Sequence, residues 1–437
     1  MDLDCIKGMC YQPTPHDFCP GHSAYFDSDY YNDDFEQLWG SSGRGDLKRM
    51  KEELDVNFIH IYNWCTLRNH ENFLKECAAL SIKVPIPISN YTLGLVREGQ
   101  TQTAEHNVRD IVQQAIHFAP VVVPMWVIGN EFELEGFNIN HIVQVVELVD
   151  RYDTKNLNFA IPVSFKDQAL PTLRQIKNAF QTQLPHLLHR LVFCINIFNS
   201  GSDIESFFRE TYAQEFSDVP VFIGEYGKDS LHITELQQSE WIHEQFQTVF
   251  KLMHDPSLRF FKGGCLFEWN EEHWKPQPHE STFGLFRMID DGITARTLRC
   301  GHNYPIDELK CKPAYEAIRY HVDQLRRRPL NECSVPPEQQ SSIAPSAPPL
   351  TAIDVCLPVA VDLPAPTQDI IYPRPLPPKP QINTPPVVQQ RVTLPPPPVI
   401  RQTVQVPLPA RTLPPPPTLP RTQVEARKLP PPPIIKK

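Results

Sequence analysis

A chain of 437 residues with 51 acidic and 41 basic side chains is too long for one small domain, and its net charge of −10 argues against binding a phosphate backbone. Of its 47 prolines, 16 precede position 329 and 31 lie from there on, so residues 329–437 cannot be mainly helix or sheet. That tail also has no glycine and a single aromatic, Tyr372, so it lacks the side chains to bury a core.

The expected organisation is therefore an α/β domain over 1–328, carrying 45 acidic against 31 basic groups, followed by a disordered proline-rich tail over 329–437. The N-terminus has no basic stretch followed by a long apolar run, and no segment reaches the length of a membrane span. The expectation is a protein that does not engage membranes and is cytoplasmic or exported by a non-classical route. An odd count of eleven cysteines then reads as mostly reduced thiols. The spacing of Cys5, Cys10 and Cys19 matches no zinc pattern, and no metal or cofactor is expected.

In chain order, strand-like runs at 6–11, 57–62, 83–88, 126–129, 159–164, 191–197, 221–224 and 264–269 alternate with helical stretches. Leu47, Met50 and Leu54 recur at helical spacing, as do Val108, Ile111, Val112, Ala115 and Ile116, and later Trp241, Ile242, Phe246, Val249 and Met253. Eight such units predict parallel strands joined by crossover helices, and the simplest closed form is a (β/α)8 TIM barrel. An acidic aromatic loop at 25–39 fails the EF-hand pattern, since its fifth ligand position and its glycine are missing. It reads either as a wall of the cleft or as a solvated loop that pins down the N-terminus.

Two segments carry the chemistry. Residues 123–131 read V-P-M-W-V-I-G-N-E and residues 219–227 read V-P-V-F-I-G-E-Y-G, so each apolar run delivers a glutamate, Glu131 and Glu225, at its C-terminal end. Two carboxyls so placed suit retaining glycoside chemistry, one protonating the leaving oxygen and the other attacking the anomeric carbon. Around them the expected rim holds Tyr11, Tyr62, Tyr91, Asn130, Tyr226 and Trp269. Aromatic faces stack on sugars and amides bond their hydroxyls, so an oligosaccharide or polysaccharide is the expected substrate. Glu133, Glu135, Glu268, Glu271 and Glu272 read as solvated or structural charge.

K-G-M-C-Y-Q-P at the start, V-N-F-I-H-I-Y-N-W, P-I-S-N-Y, W-V-I-G-N-E, F-I-G-E-Y-G and G-C-L-F-E-W together resemble glycoside hydrolase clan A. Within it they are most similar to the β-1,3-glucanase and β-1,3-glucanosyltransferase families 17 and 72. The resemblance covers roughly residues 5–320. It implies that Glu131 is the acid/base, that Asn130 bonds the sugar 2-hydroxyl, that Glu225 is the nucleophile and that Trp269 floors the subsite of cleavage. Two positions depart from the family pattern: His60 stands where an arginine supporting the nucleophile is usual, and Phe198 where a tyrosine is usual. Those departures motivate an alternative expectation, a catalytically weakened carbohydrate-binding or scaffold protein.

The tail carries its own signal. L-P-P-P-P begins at Leu394, Leu413 and Leu429, and 374–380 reads R-P-L-P-P-K-P. The first suits profilin or EVH1-type partners and the second an SH3 domain, against the plainer reading of a stiff spacer.

Overall fold

The computed structural model describes residues 5–15, 29–166, 169–275, 277–289, 296–299 and 302–327, all within the first of the chain's two units, Met1–Ser341. The proline-rich motifs, Cys19 and positions 25–28 of the acidic loop lie outside the described residues.

Eight parallel strands form the centre: β1 (Ile6–Cys10), β2 (Phe58–His60), β3 (Ile86–Ile88), β4 (Met125–Ile128), β5 (Asn158–Ser164), β6 (Leu191–Asn196), β7 (Val221–Tyr226) and β8 (Phe261–Leu266). Their order in the sheet is β2-β1-β8-β7-β6-β5-β4-β3, with β8 hydrogen-bonded to β1. The ring closes between β2 and the segment leading into β3, where Phe58 bridges Lys83 in parallel and Ile59 N–H donates to the Lys83 carbonyl at 2.9 Å. This is the (β/α)8 barrel that the alternating pattern predicts.

Between the strands run α1 (Asp46–Leu54), α2 (Glu71–Ala79), α3 (Asn90–Arg97), α4 (Thr101–Ala115), α5 (Ile139–Tyr152), α6 (Ala169–Thr182), α7 (Gly201–Ser206) and α8 (Glu235–Met253), with α9 (Pro313–Arg327) after the barrel. Val108, Ile111, Val112 and Ala115 on α4 are buried against the sheet, as the 3.6-residue period requires. Capping boxes start α5 at Asn138 and α8 at Thr234. Among the described residues no helix is long and apolar enough to cross a membrane.

Two apolar layers result. Outside the sheet, one large core joins strand and helix faces. Inside the barrel, alternate strand residues fill the lumen: Cys10, Phe58, Val127, Cys194, Phe222 and Cys265, capped by Phe267 and Phe283 with Tyr62 and Phe198 packed against them. The strand period of two decides which residues face in and which face the helices.

The acidic aromatic loop belongs to the outer core. Tyr30, Tyr31, Phe35, Leu38 and Trp39 are buried, and Asp29 accepts from Cys65 N–H at 3.0 Å and pairs with His70 at 2.9 Å. None of these residues lines the cleft described below, so the described part of the loop is structural.

At the opposite, N-terminal end of the strands, Arg190 ties three elements together. It donates to the Leu157 carbonyl and to Asp150 at 2.6 Å each, and to Asp153. Asp153 also accepts from Trp126 Nε1 at 3.1 Å and from Leu157 N–H at 2.8 Å. Replacing Arg190 with methionine leaves Asp153 buried without its cation. We expect a loss of about 3–5 kcal/mol in urea unfolding. A loss below about 1 kcal/mol, the range of an exposed ion pair, would show that Arg190 does not hold these strands.

Candidate active site

A cleft of about 770 Å³ opens at the C-terminal ends of the strands, where a TIM barrel places its site. Glu131 and Glu225 both line it, with Asn130, Tyr62, Tyr91, His60 and Phe198.

Glu131 stands on a sharp turn directly after β4. Gly129 has φ +67° and Glu131 itself φ +46°, a left-handed conformation that costs a non-glycine residue about 1–2 kcal/mol. A side chain at Gly129 would also come within 2.8 Å of Leu93 and 2.9 Å of Asn90. The turn is clamped by Asn90, which accepts from Asn130 N–H at 2.9 Å and donates to the Asn130 carbonyl at 2.8 Å. Glu131 N–H adds a 3.2 Å bond to the Pro162 carbonyl. Strain of this kind persists where surrounding contacts over-determine it, commonly at functional sites.

Glu225 reaches the cleft by another device. The registers of β7 with β6 and with β8 both slip around Gly224 and Glu225. Such an irregularity re-aims a side chain, and here the carboxyl joins the cleft while Phe222 below it faces the lumen. Asn196, at the end of β6, bridges the two segments by donating to the Asn130 side-chain oxygen at 3.3 Å.

The electrostatics couple the two acids. Burial, then the facing Glu131 carboxylate, push Glu225 up to about 8, against the opposing pull of Lys275, the Tyr62 hydroxyl and the Asn130 amide. Burial also raises Glu131, while Ser164, Lys166 and Asn196 act to lower it. A charge on Glu131 thus makes ionisation of Glu225 harder. Burial favours the neutral form of both carboxyls.

Three of the six expected rim residues line the cleft: Asn130, Tyr62 and Tyr91. Tyr11, Tyr226 and Trp269 do not, and each correction has a geometric cause. Cys10 faces the lumen, so Tyr11 turns outward, is fully buried and donates to Asp46 at 2.9 Å. Glu225 takes the inward direction at the irregularity, so Tyr226 lies behind the sheet against Phe246 and Met253.

Trp269 lies in the outer core against Phe286, with ring centroids 4.5 Å apart. The expected strand 264–269 starts three residues too late and ends three residues too late. In the structure β8 begins at Phe261 and runs through Gly263 and Gly264, where Gly263 lies so close to β1 that an added side chain would come within 2.1 Å of the Ile6 carbonyl. The aromatic at the strand end facing the cleft is therefore Phe267. Alternation counted from Cys265 would have found it.

Glu268, Glu271 and Glu272 are buried rather than solvated. Glu271 pairs with Lys312 at 2.7 Å, while Glu268 and Glu272 share Lys275, at 3.3 Å for Glu268. His60 is buried with both ring nitrogens unpartnered, and burial lowers it to about 4, so it is neutral and not a cationic substitute for an arginine. Among the described residues no group of His, Cys, Asp and Glu is arranged to hold a metal.

With this geometry in place, the chain can be set beside known proteins. No protein-family model and no curated protein matches it. Solved structures do. Saccharomyces cerevisiae Gas2 in complex with a compound aligns with TM-score 0.47 and 13% identity over 74% of this chain and 65% of that one. The same yeast protein in complex with laminaripentaose aligns with TM-score 0.45 and 12% identity over the same shares. This chain thus spans just under two thirds of those proteins.

Proposed function

We propose that residues 1–328 form a retaining glycoside hydrolase or transglycosylase domain acting on a β-linked glucan, with a β-1,3 linkage taken from the sequence resemblance. The observation that carries this reading is the pair of carboxyls, Glu131 and Glu225, brought from the ends of β4 and β7 into one cleft, where Glu131 disfavours the charge on Glu225. Glu131 in its acid form donates its proton to the glycosidic oxygen as the Glu225 carboxylate attacks the anomeric carbon. The C–O bond to the leaving sugar breaks and a glycosyl ester forms on Glu225. Glu131, now a carboxylate, takes the proton from water or from a second sugar hydroxyl, which displaces Glu225. Asn130 hydrogen-bonds a ring hydroxyl, Phe267 offers an apolar floor, and Tyr62 and Tyr91 flank the sugar.

The neutral His60 and the hydroxyl-free Phe198 favour the second reading, a carbohydrate-binding or scaffold module whose tail recruits SH3, EVH1 or profilin-type partners. A 2-deoxy-2-fluoro glucoside with a good leaving group separates the two. The retaining reading expects the full chain to gain the mass of one glycosyl unit, located on a peptide containing Glu225 and absent from Glu225→Gln. An unlabelled protein that nonetheless binds laminari-oligosaccharides would leave the second reading standing.

A further inference from the structure

The two carboxyls of the cleft need different fields, and the cleft has few cations with which to make them. Among the described residues lining it the lysines are Lys166 and Lys275. Lys166 acts on Glu131 and Lys275 on Glu225. Glu225 is faced by Glu131 and Asn130 after β4, by Tyr62 after β2, by Cys10 on β1, Cys194 on β6 and Cys265 on β8, and by Lys275 in the loop after β8. Of these only Lys275 is positive. Two further wall residues, His60 and Phe198, offer a neutral imidazole and a plain phenyl ring.

Lys275 is held by a built cradle. Its ammonium pairs with the buried Glu272 and lies 3.3 Å from the buried Glu268. It also sits 4.6 Å from the centre of the Phe267 ring. Glu272 is in turn fixed by Thr14 Oγ1 and Trp274 Nε1, each at 3.0 Å. Thr14 follows β1 and Trp274 follows β8, so the cradle spans the seam where the barrel's first and last strands meet. Burial alone would discharge Lys275, but Glu268 and Glu272 more than offset it and keep the ammonium charged. Burial and the adjacent Glu272 favour the neutral form of Glu268.

We propose that Lys275 is the positioning residue that favours the carboxylate form of Glu225, acting from the loop after β8 through the Glu272 and Phe267 cradle. The inference rests on the reading of Glu225 as nucleophile, but its effect on the carboxyl does not require turnover. Removing the cation raises the pH at which Glu225 ionises, so the acid limb of kcat/KM moves up.

The test compares wild type, Lys275→Met and Lys275→Arg in the full chain, with Lys275→Met/Glu272→Gln as the variant that leaves no unpaired buried charge. Turnover of laminari-oligosaccharides is followed across pH. The Glu225 carboxyl is followed by carbon NMR of glutamate-labelled protein, assigned by the signal lost in Glu225→Gln. Both the limb and the titration should move up by about one pH unit in the two methionine variants, with activity below the limb falling about tenfold, and arginine should restore them. A Glu225 titration unchanged in Lys275→Met/Glu272→Gln overturns the inference. A titration that moves in a protein without turnover keeps the inference and removes the enzymatic reading instead.

Discussion

Glu131→Gln and Glu225→Gln should each stop turnover of laminari-oligosaccharides, but by different routes that kinetics can separate. Loss of a general acid costs about 10²–10⁴-fold, and loss of a nucleophile on the order of 10⁴-fold or more. The leaving group tells them apart. An aryl glycoside with an acidic phenol departs without protonation, so Glu131→Gln should still form its glycosyl ester rapidly and stall at the second step. Glu225→Gln should fail on both substrates because no ester can form. Fluorescence or absorbance release in the first milliseconds to seconds reads the first step directly. Equal losses on both substrates for Glu131→Gln would remove the acid role, and unchanged turnover in either variant would remove that residue from the chemistry.

The fold was legible because its signal is periodic. Each strand core is apolar and short, each helix repeats every 3.6 residues, and eight alternations leave few topologies. The glutamates were legible for the same reason: a carboxyl at the abrupt end of a buried strand conflicts with burial and so stands out. The rim was less legible because membership there turns on parity, and parity fails wherever the backbone slips. One irregularity in β7 sends Tyr226 outward, and β8 stops at Leu266, so the alternation that turns Cys265 and Phe267 inward does not carry on to Trp269. Lys275 was invisible for a different reason. Its partners Glu268 and Glu272 surround it in a loop without period, and nothing in the string E-W-N-E-E-H-W-K says that these charges are buried together.

The same burial has a consequence for stability that needs no substrate. Glu225 ionises near 8 in the fold against an ordinary value of 4.5, so the folded protein holds this proton more tightly than the unfolded chain. Below pH 4 both states keep it and the residue is neutral to stability. As pH rises from 4.5 to 8 the unfolded chain releases the proton while the fold retains it, and the fold loses stability across that window. At 1.36 kcal/mol for each pH unit of difference, the loss above pH 8 is on the order of a few kcal/mol. Glutamine has nearly the same shape and no charge to desolvate. Glu225→Gln should therefore unfold at higher urea than wild type at pH 8.5, with the gap narrowing to nothing near pH 4. Its sign is opposite to that of most buried substitutions, as expected where a chemical role is maintained against the preference of the fold. Parallel unfolding curves from pH 4 to 9, or a variant less stable than wild type at pH 8.5, would show that the cleft does not resist the charge it is built to use.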